Sequence, residues 1–206
     1  MEDSGIGEEL LRAAMCDDFS EVKRLFTAEL RNYAGSNGKT IMHAACQAGG
    51  EGNLEMVQWL KEHGAELETK NEAGRVPVQV ACEMGNLEIV QYMHAHGAAI
   101  NVANTHGINS VHSACKTGNL ELVQFLHSQG CPLDAKDSGG GVAVIYAAAG
   151  AGAPSADASL HLIKWLAQQG ADLNATNNAN IKPLTHAQNR QDATELVAWL
   201  KENGAN

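Results

Sequence analysis

No apolar run in this chain is long enough to cross a bilayer. The longest weakly polar stretch, "GVAVIYAAAGAGA" from Gly141, is short and made mostly of small residues. Basic residues are scarce as well: 14 Lys and Arg stand against 24 Asp and Glu, a formal charge of -10 that repels phosphate backbones and anionic lipid. Nucleic acid and membrane are therefore not expected as partners. There is no Cys-x-x-Cys, and the five cysteines are an odd number with no secretory signal before them, so reduced thiols in the cytoplasm, or in the nucleus, are expected. The start, "MEDSGIGEEL", carries Glu2 where myristoylation needs glycine, and residues 1–6 are expected to form a flexible N-terminus.

Catalytic motifs are missing too. The chain has no Gly-x-Ser-x-Gly, no His-Glu-x-x-His and no complete phosphate loop, since "SNGKT" at Ser36 lacks the upstream glycine. An enzyme would have no residues to stand on, and no cofactor is expected.

What is present is repetition. "HGINSVHSACKTGNLELVQFLHSQG" from His106 restates "AGRVPVQVACEMGNLEIVQYMHAHG" thirty-three residues earlier. Gly38, Gly74, Gly107 and Gly141 lie 36, 33 and 34 residues apart, and Ala45, Ala81, Ala114 and Ala148 each follow seven positions later. A second set, Gly64, Gly97, Gly130, Gly170 and Gly204, closes each copy. Within a copy, "IMHAACQA" predicts a first helix with alanines at a close approach, and "NLELVQFLHSQG" a second whose Leu120, Val123 and Leu126 form a buried stripe. Links such as "GAAINVANTHG" predict a turn or hairpin. Two inserts, "AGGEGN" from Ala48 and "GAPSADAS" from Gly152, fall at the same place in the unit and are expected to be tolerant surface turns.

On Gly38-Lys39-Thr40-Ile41-Met42-His43-Ala44-Ala45, Gly118-Asn119-Leu120-Glu121-Leu122-Val123 and Gly170-Ala171-Asp172-Leu173-Asn174-Ala175, the chain resembles the ankyrin-repeat proteins. The resemblance implies an all-α repeat solenoid of stacked helix pairs joined by hairpins, over residues 7–206. Six units are expected: an N-terminal cap at 7–35, then 36–70, 71–103, 104–137, 138–176, and a C-terminal cap at 177–206. The family's Thr-Pro-Leu-His element is nowhere intact. Pro77 and Pro183 survive from it, and its histidine place is read as His43, Gln79, His112, Tyr146 and Thr185, where the resemblance implies a bond that braces the neighbouring loop.

Three columns need weighing. Cys46, Cys82 and Cys115 occupy equivalent places. Packed helices lie about 8 to 10 Å apart, beyond the roughly 7 Å a disulfide allows, so buried thiols are expected, and neither a disulfide nor a zinc site. His63, His94, His96 and His127 gather at the ends of second helices, where the helix dipole explains them and a metal sensor or metal-dependent enzyme is the rival reading. Trp59, Tyr92, Phe125, Trp165 and Trp199 each stand five residues before a closing glycine, either as a packing ladder or as an exposed stripe for a partner.

The family's working surface is a concave face of hairpin tips and first helices. There the hairpin residues read Lys39, Arg75, Ile108, Val142 and Ile181, charge giving way to apolar side chains. Gln47, Glu83, Met84, Lys116 and Arg190 are placed outward on first helices. These ten residues are the candidate partner-binding set. The expected function is a non-enzymatic protein–protein interaction module, an adaptor or inhibitor for an unidentified protein or peptide and monomeric alone. A nucleic-acid-associated regulator is a further alternative that the acidic composition disfavours.

Overall fold

The computed structural model describes residues 2–48 and 53–206. Residues 49–52 of the insert that begins at Ala48 lie outside the described residues. Twelve helices are found among the described residues, with no strand beyond an isolated bridge between Ala34 and Thr40. None of the helices is long and apolar enough to cross a membrane.

First helices are α1 (Glu2–Met15), α3 (Ile41–Gln47), α5 (Pro77–Met84), α7 (Ser110–Thr117), α9 (Ala143–Ala149) and α11 (Pro183–Gln188). Second helices are α2 (Phe19–Leu25), α4 (Asn53–Glu62), α6 (Leu87–Ala95), α8 (Leu120–Ser128), α10 (Ala156–Gln168) and α12 (Thr194–Glu202). Helix α1 begins inside the segment 1–6 that was expected to be a flexible N-terminus.

The recurrent "GN" between the helices is chemistry, not spacing. Gly85 and Gly118 end α5 and α7 with φ of 74° and 69°. The next residue, Asn86 or Asn119, then caps the following helix by accepting the N–H of Ile89 at 3.1 Å or Leu122 at 3.0 Å.

The chain forms two compact units, Met1–Thr105 and His106–Asn206. In the first, α1 packs on α2 and α3, α3 on α4 and α5, and α6 on α4 and α5. In the second, α7 packs on α8 and α9, α9 on α10 and α11, and α12 on α10 and α11. Ile41, Met42, Ala44 and Ala45 on α3 are wholly buried, as are Leu122, Val123 and Leu126 on α8. The alanines let first helices approach one another, and the aliphatic stripe of each second helix closes the core behind them. Cys46, Cys82 and Cys115 are buried and form no disulfide, and burial pushes the Cys46 and Cys115 thiols up.

The hairpins share one geometry. In each of four, the N–H three residues before the left-handed residue donates to the carbonyl one residue after it: Gly35 to Lys39, Asn71 to Arg75, Asp137 to Gly141 and Asn177 to Ile181. The left-handed residues are Gly38, Gly74, Gly107, Gly140 and Asn180, with φ of 70°, 72°, 72°, 75° and 58°. The fourth is Gly140, not Gly141. Three glycines in a row and three alanines in α9 fit either register by sequence, and the backbone decides for the earlier one. Val142 is consequently the N-cap of α9, equivalent to Asn109 rather than to Ile108.

The insert from Gly152 is no slack turn. The Gly152 N–H donates to the Lys116 carbonyl at 3.1 Å, and Ser155 then caps α10, which runs 13 residues against 9 in α8.

Candidate partner-binding face

Each hairpin is held by the third residue of the first helix that follows it. His43 Nδ1 accepts the Thr40 N–H at 3.2 Å, so Nε2 carries the proton and donates to the Arg75 carbonyl at 2.9 Å. His112 repeats the pattern, accepting from Asn109 N–H at 3.1 Å and donating to the Ala135 carbonyl at 2.9 Å. Gln79 does the same work with an amide. Its Oε1 accepts the Val76 N–H at 3.2 Å, and Nε2 donates to the Val102 carbonyl at 3.0 Å. Burial lowers the pKa of both histidines and keeps them neutral.

In the unit that follows α8, this place belongs to Ile145, not Tyr146, because the register is one residue earlier. Tyr146 supplies a substitute. Its hydroxyl donates to Asp137 Oδ2, while Asp137 Oδ1 accepts the Gly139 and Gly141 N–H groups, each at 2.7 Å. Burial would raise the Asp137 pKa, but these hydrogen bonds, that of Tyr146 foremost, outweigh it and hold the carboxyl below its usual range. The Tyr146 ring also rests on His112, 5.0 Å between centroids.

On this bracing stand the candidate recognition residues, and the structure joins them in pairs eight residues apart. Lys39 Nζ donates to Gln47 Oε1 at 2.6 Å and lies 4.0 Å from Met15 Sδ. Arg75 Nη1 meets Glu83 Oε2 at 2.7 Å, both side chains half-buried. Ile108 is half-buried and Lys116, eight residues on, is exposed. Met84 is 48% exposed. Ile181 is half-buried, its N–H taken by Asn177 Oδ1 at 3.0 Å.

Two candidates stand elsewhere. Val142 lines a groove of about 780 Å³ with Leu133, Val144, Asp134 and Asp172. Arg190 does not face outward: its side chain is 14% exposed, pairs with Asp192 at 3.0 Å and donates to Ser159 Oγ at 2.9 Å. Asp192 in turn accepts the Ala156 N–H at 2.9 Å, so the pair brackets the start of α10. Sequence reading missed the pairing across eight residues and the role of Asn71, Asp137 and Asn177, whose side chains accept N–H groups inside their hairpins. The signal was available as Asx three residues before the left-handed position.

The aromatic column is half-buried, and its companions are the terminal histidines. His63 stacks on Trp59 at 3.9 Å and hydrogen-bonds its carbonyl through Nδ1 at 2.7 Å. His96 does the same on Tyr92, at 4.0 Å and 2.8 Å. Phe19 and Phe26 pack edge-on against Trp59, and His127 against Trp165. Among the described residues, no three His, Cys, Asp or Glu side chains are grouped to hold a metal ion.

A family model described as ankyrin repeats, three copies, matches residues 10–104, 81–177 and 111–206. No curated protein matches the chain. With nearly its whole length matched and its helix pairs built on one hairpin register, the chain belongs to the ankyrin-repeat family, an all-helical repeat solenoid whose members are generally protein–protein interaction modules.

Proposed function

We propose that the chain is a non-enzymatic recognition module that binds a protein or peptide on the concave face made by hairpin tips and first helices, acting as an adaptor or an inhibitor in the cytoplasm or nucleus. One observation carries this reading. Around a backbone that repeats hydrogen bond for hydrogen bond, the paired surface positions change from Lys39 with Gln47 to Arg75 with Glu83 to Ile108 with Lys116. Variable side chains on a constant rigid frame are what selective binding requires, since the frame loses little freedom on association. Arg190 leaves the candidate set, because its guanidinium is committed to Asp192 and Ser159. Lys39, Gln47, Arg75, Glu83, Met84, Ile108, Lys116 and Ile181 remain in it. Val142 marks a separate groove.

The test is to capture a partner on the whole chain and compare Lys39→Glu, Ile108→Ser and Lys116→Glu with the parent, measuring affinity and melting temperature together. Weakened binding at unchanged melting supports the face. Unchanged binding for all three moves the site to the aromatic column.

A further inference from the structure

Successive hairpins are joined by one repeated hydrogen bond. In the first unit the Glu72 N–H donates to the Asn37 carbonyl and the Thr105 N–H to the Ala73 carbonyl, each at 3.1 Å. In the second, Ser138 N–H donates to His106 at 2.9 Å and Asn178 N–H to Gly139 at 2.7 Å. The donor always lies two residues before the left-handed position. The acceptor lies one residue before that position in the preceding hairpin.

The matching donor of the hairpin at 35–39 is the Ser36 N–H. Among the described residues no acceptor meets it, because the link from α1 to α2 forms no hairpin. Beside it lies a groove of about 420 Å³, with Gly5, Arg12 and Met15 of α1 on one side and Gly35, Ser36 and Lys39 on the other. The rim charges are engaged: Glu8 accepts from the Tyr33 hydroxyl, Glu9 pairs with Arg12 and Lys39 is held by Gln47. What is left open is an amide donor and the 41% exposed Met15.

We propose that this groove receives a tight turn of a partner protein, docked as one more hairpin in the row, with a backbone carbonyl accepting the Ser36 N–H and an apolar side chain covering Met15. The repeated geometry also states what that turn must contain. A Cβ on Gly38 would lie 3.0 Å from the Glu72 nitrogen, and one on Gly107 3.0 Å from the Ser138 nitrogen. The incoming turn therefore needs glycine directly after the residue that offers its carbonyl, as in the Asx-x-x-Gly turns of the chain itself. The same rule excludes a second copy presenting its last hairpin, where Asn180 brings a Cβ to that position. The site stands apart from the concave-face reading and survives its failure.

The probe is a disulfide-closed peptide with the turn Asn-Thr-His-Gly-Ile, titrated into the ¹⁵N-labelled full chain beside a control with alanine for glycine. The Ser36 and Asn37 amides and the Met15 methyl should shift saturably with the glycine peptide, and the alanine peptide should bind at least about tenfold more weakly. Gly5→Leu places its side chain where no atom lies within 4 Å of the new Cβ, so it should fill the groove and abolish the response without lowering the melting temperature. Silence at Ser36 with millimolar glycine peptide, an equal response to both peptides, or Ser36 shifts that follow protein concentration alone would each overturn the proposal.

Discussion

Residues 1–105 brace their hairpins with an imidazole and an amide, His43 and Gln79; residues 106–206 begin with the imidazole of His112 and then abandon the device. At Ile145 the bracing place is apolar, and the hairpin is held instead by Asp137 and the Tyr146 hydroxyl. What persists is the donor and acceptor account of the loop, which three chemistries close equally well. The surfaces differ as well. Among the described residues the exposed large hydrophobic side chains are Ile6, Met15 and Met84, all in the first unit. Ile108 and Ile181 of the second are half-buried, so the apolar end expected toward the C-terminus is the less open one.

The largest expected effect breaks the common backbone in either unit. Gly38→Ala and Gly107→Ala each force a side chain into left-handed φ and against the amide of the next hairpin, and should cost about 2–3 kcal/mol in urea denaturation. Asn180 already carries a side chain at the equivalent place, so Asn180→Gly should change stability by less than about 1 kcal/mol. Equal losses at all three positions would dissolve the hairpin ladder as a source of stability.

A smaller effect should separate the units. Arg190→Ala removes the clasp on Ser159 and the start of α10, lowering the stability of residues 106–206 by about 1–2 kcal/mol while amide exchange in α3 and α5 stays as it was. Uniform loosening of both units would contradict a local clasp.

Protons should sharpen the contrast further. The buried, neutral His43 and His112 have depressed pKa values, so the unfolded chain binds more protons below the ordinary histidine value of about 6.5. Their contribution is whole above that pH and is lost as pH falls through the folded values. His43→Gln, copying Gln79, should remove this acid loss from the first unit at a cost under about 1 kcal/mol at pH 8, leaving the His112 loss in the second. Acid sensitivity of the first unit that survives the substitution would place its origin elsewhere.

Much of this was legible beforehand because helix period and closing glycines are local signals. Gly64, Gly97, Gly130, Gly170 and Gly204 end their copies with positive φ, where the spacing put them. Legibility failed where the sequence is degenerate: "GGG" before "AIYAAAG"-like small residues cannot fix a register, and Val142 was thereby placed on a hairpin tip when it caps a helix. It failed again at Arg190, since the partner that turns it inward, Ser159, is 31 residues away and no local pattern announces it. The pairing of Lys39 with Gln47 and of Arg75 with Glu83 lay in the open as an eight-residue spacing, but only a folded hairpin shows that the two positions meet.

Those two pairs offer the finest comparison, within one unit. Both place a cation at the hairpin tip, yet Lys39 rests on a neutral amide and Arg75 on a carboxylate. Arg75 and Glu83 are about a quarter to a third exposed, at 32% and 25%, so solvent screens their attraction and the ordering of two long side chains offsets part of it. Glu83→Gln converts the second pair into the chemistry of the first. A double-mutant cycle with Arg75→Ala should give a coupling below about 1 kcal/mol that shrinks as salt is raised. The value for recognition should exceed the value for folding: Glu83→Gln leaves Arg75 with an uncompensated charge, so a partner carrying carboxylates should bind more tightly and one carrying lysines less tightly, at nearly constant melting temperature. A coupling well above this range, insensitive to salt, would instead make the pair part of the scaffold and return Arg75 and Glu83 to the bracing of the hairpin.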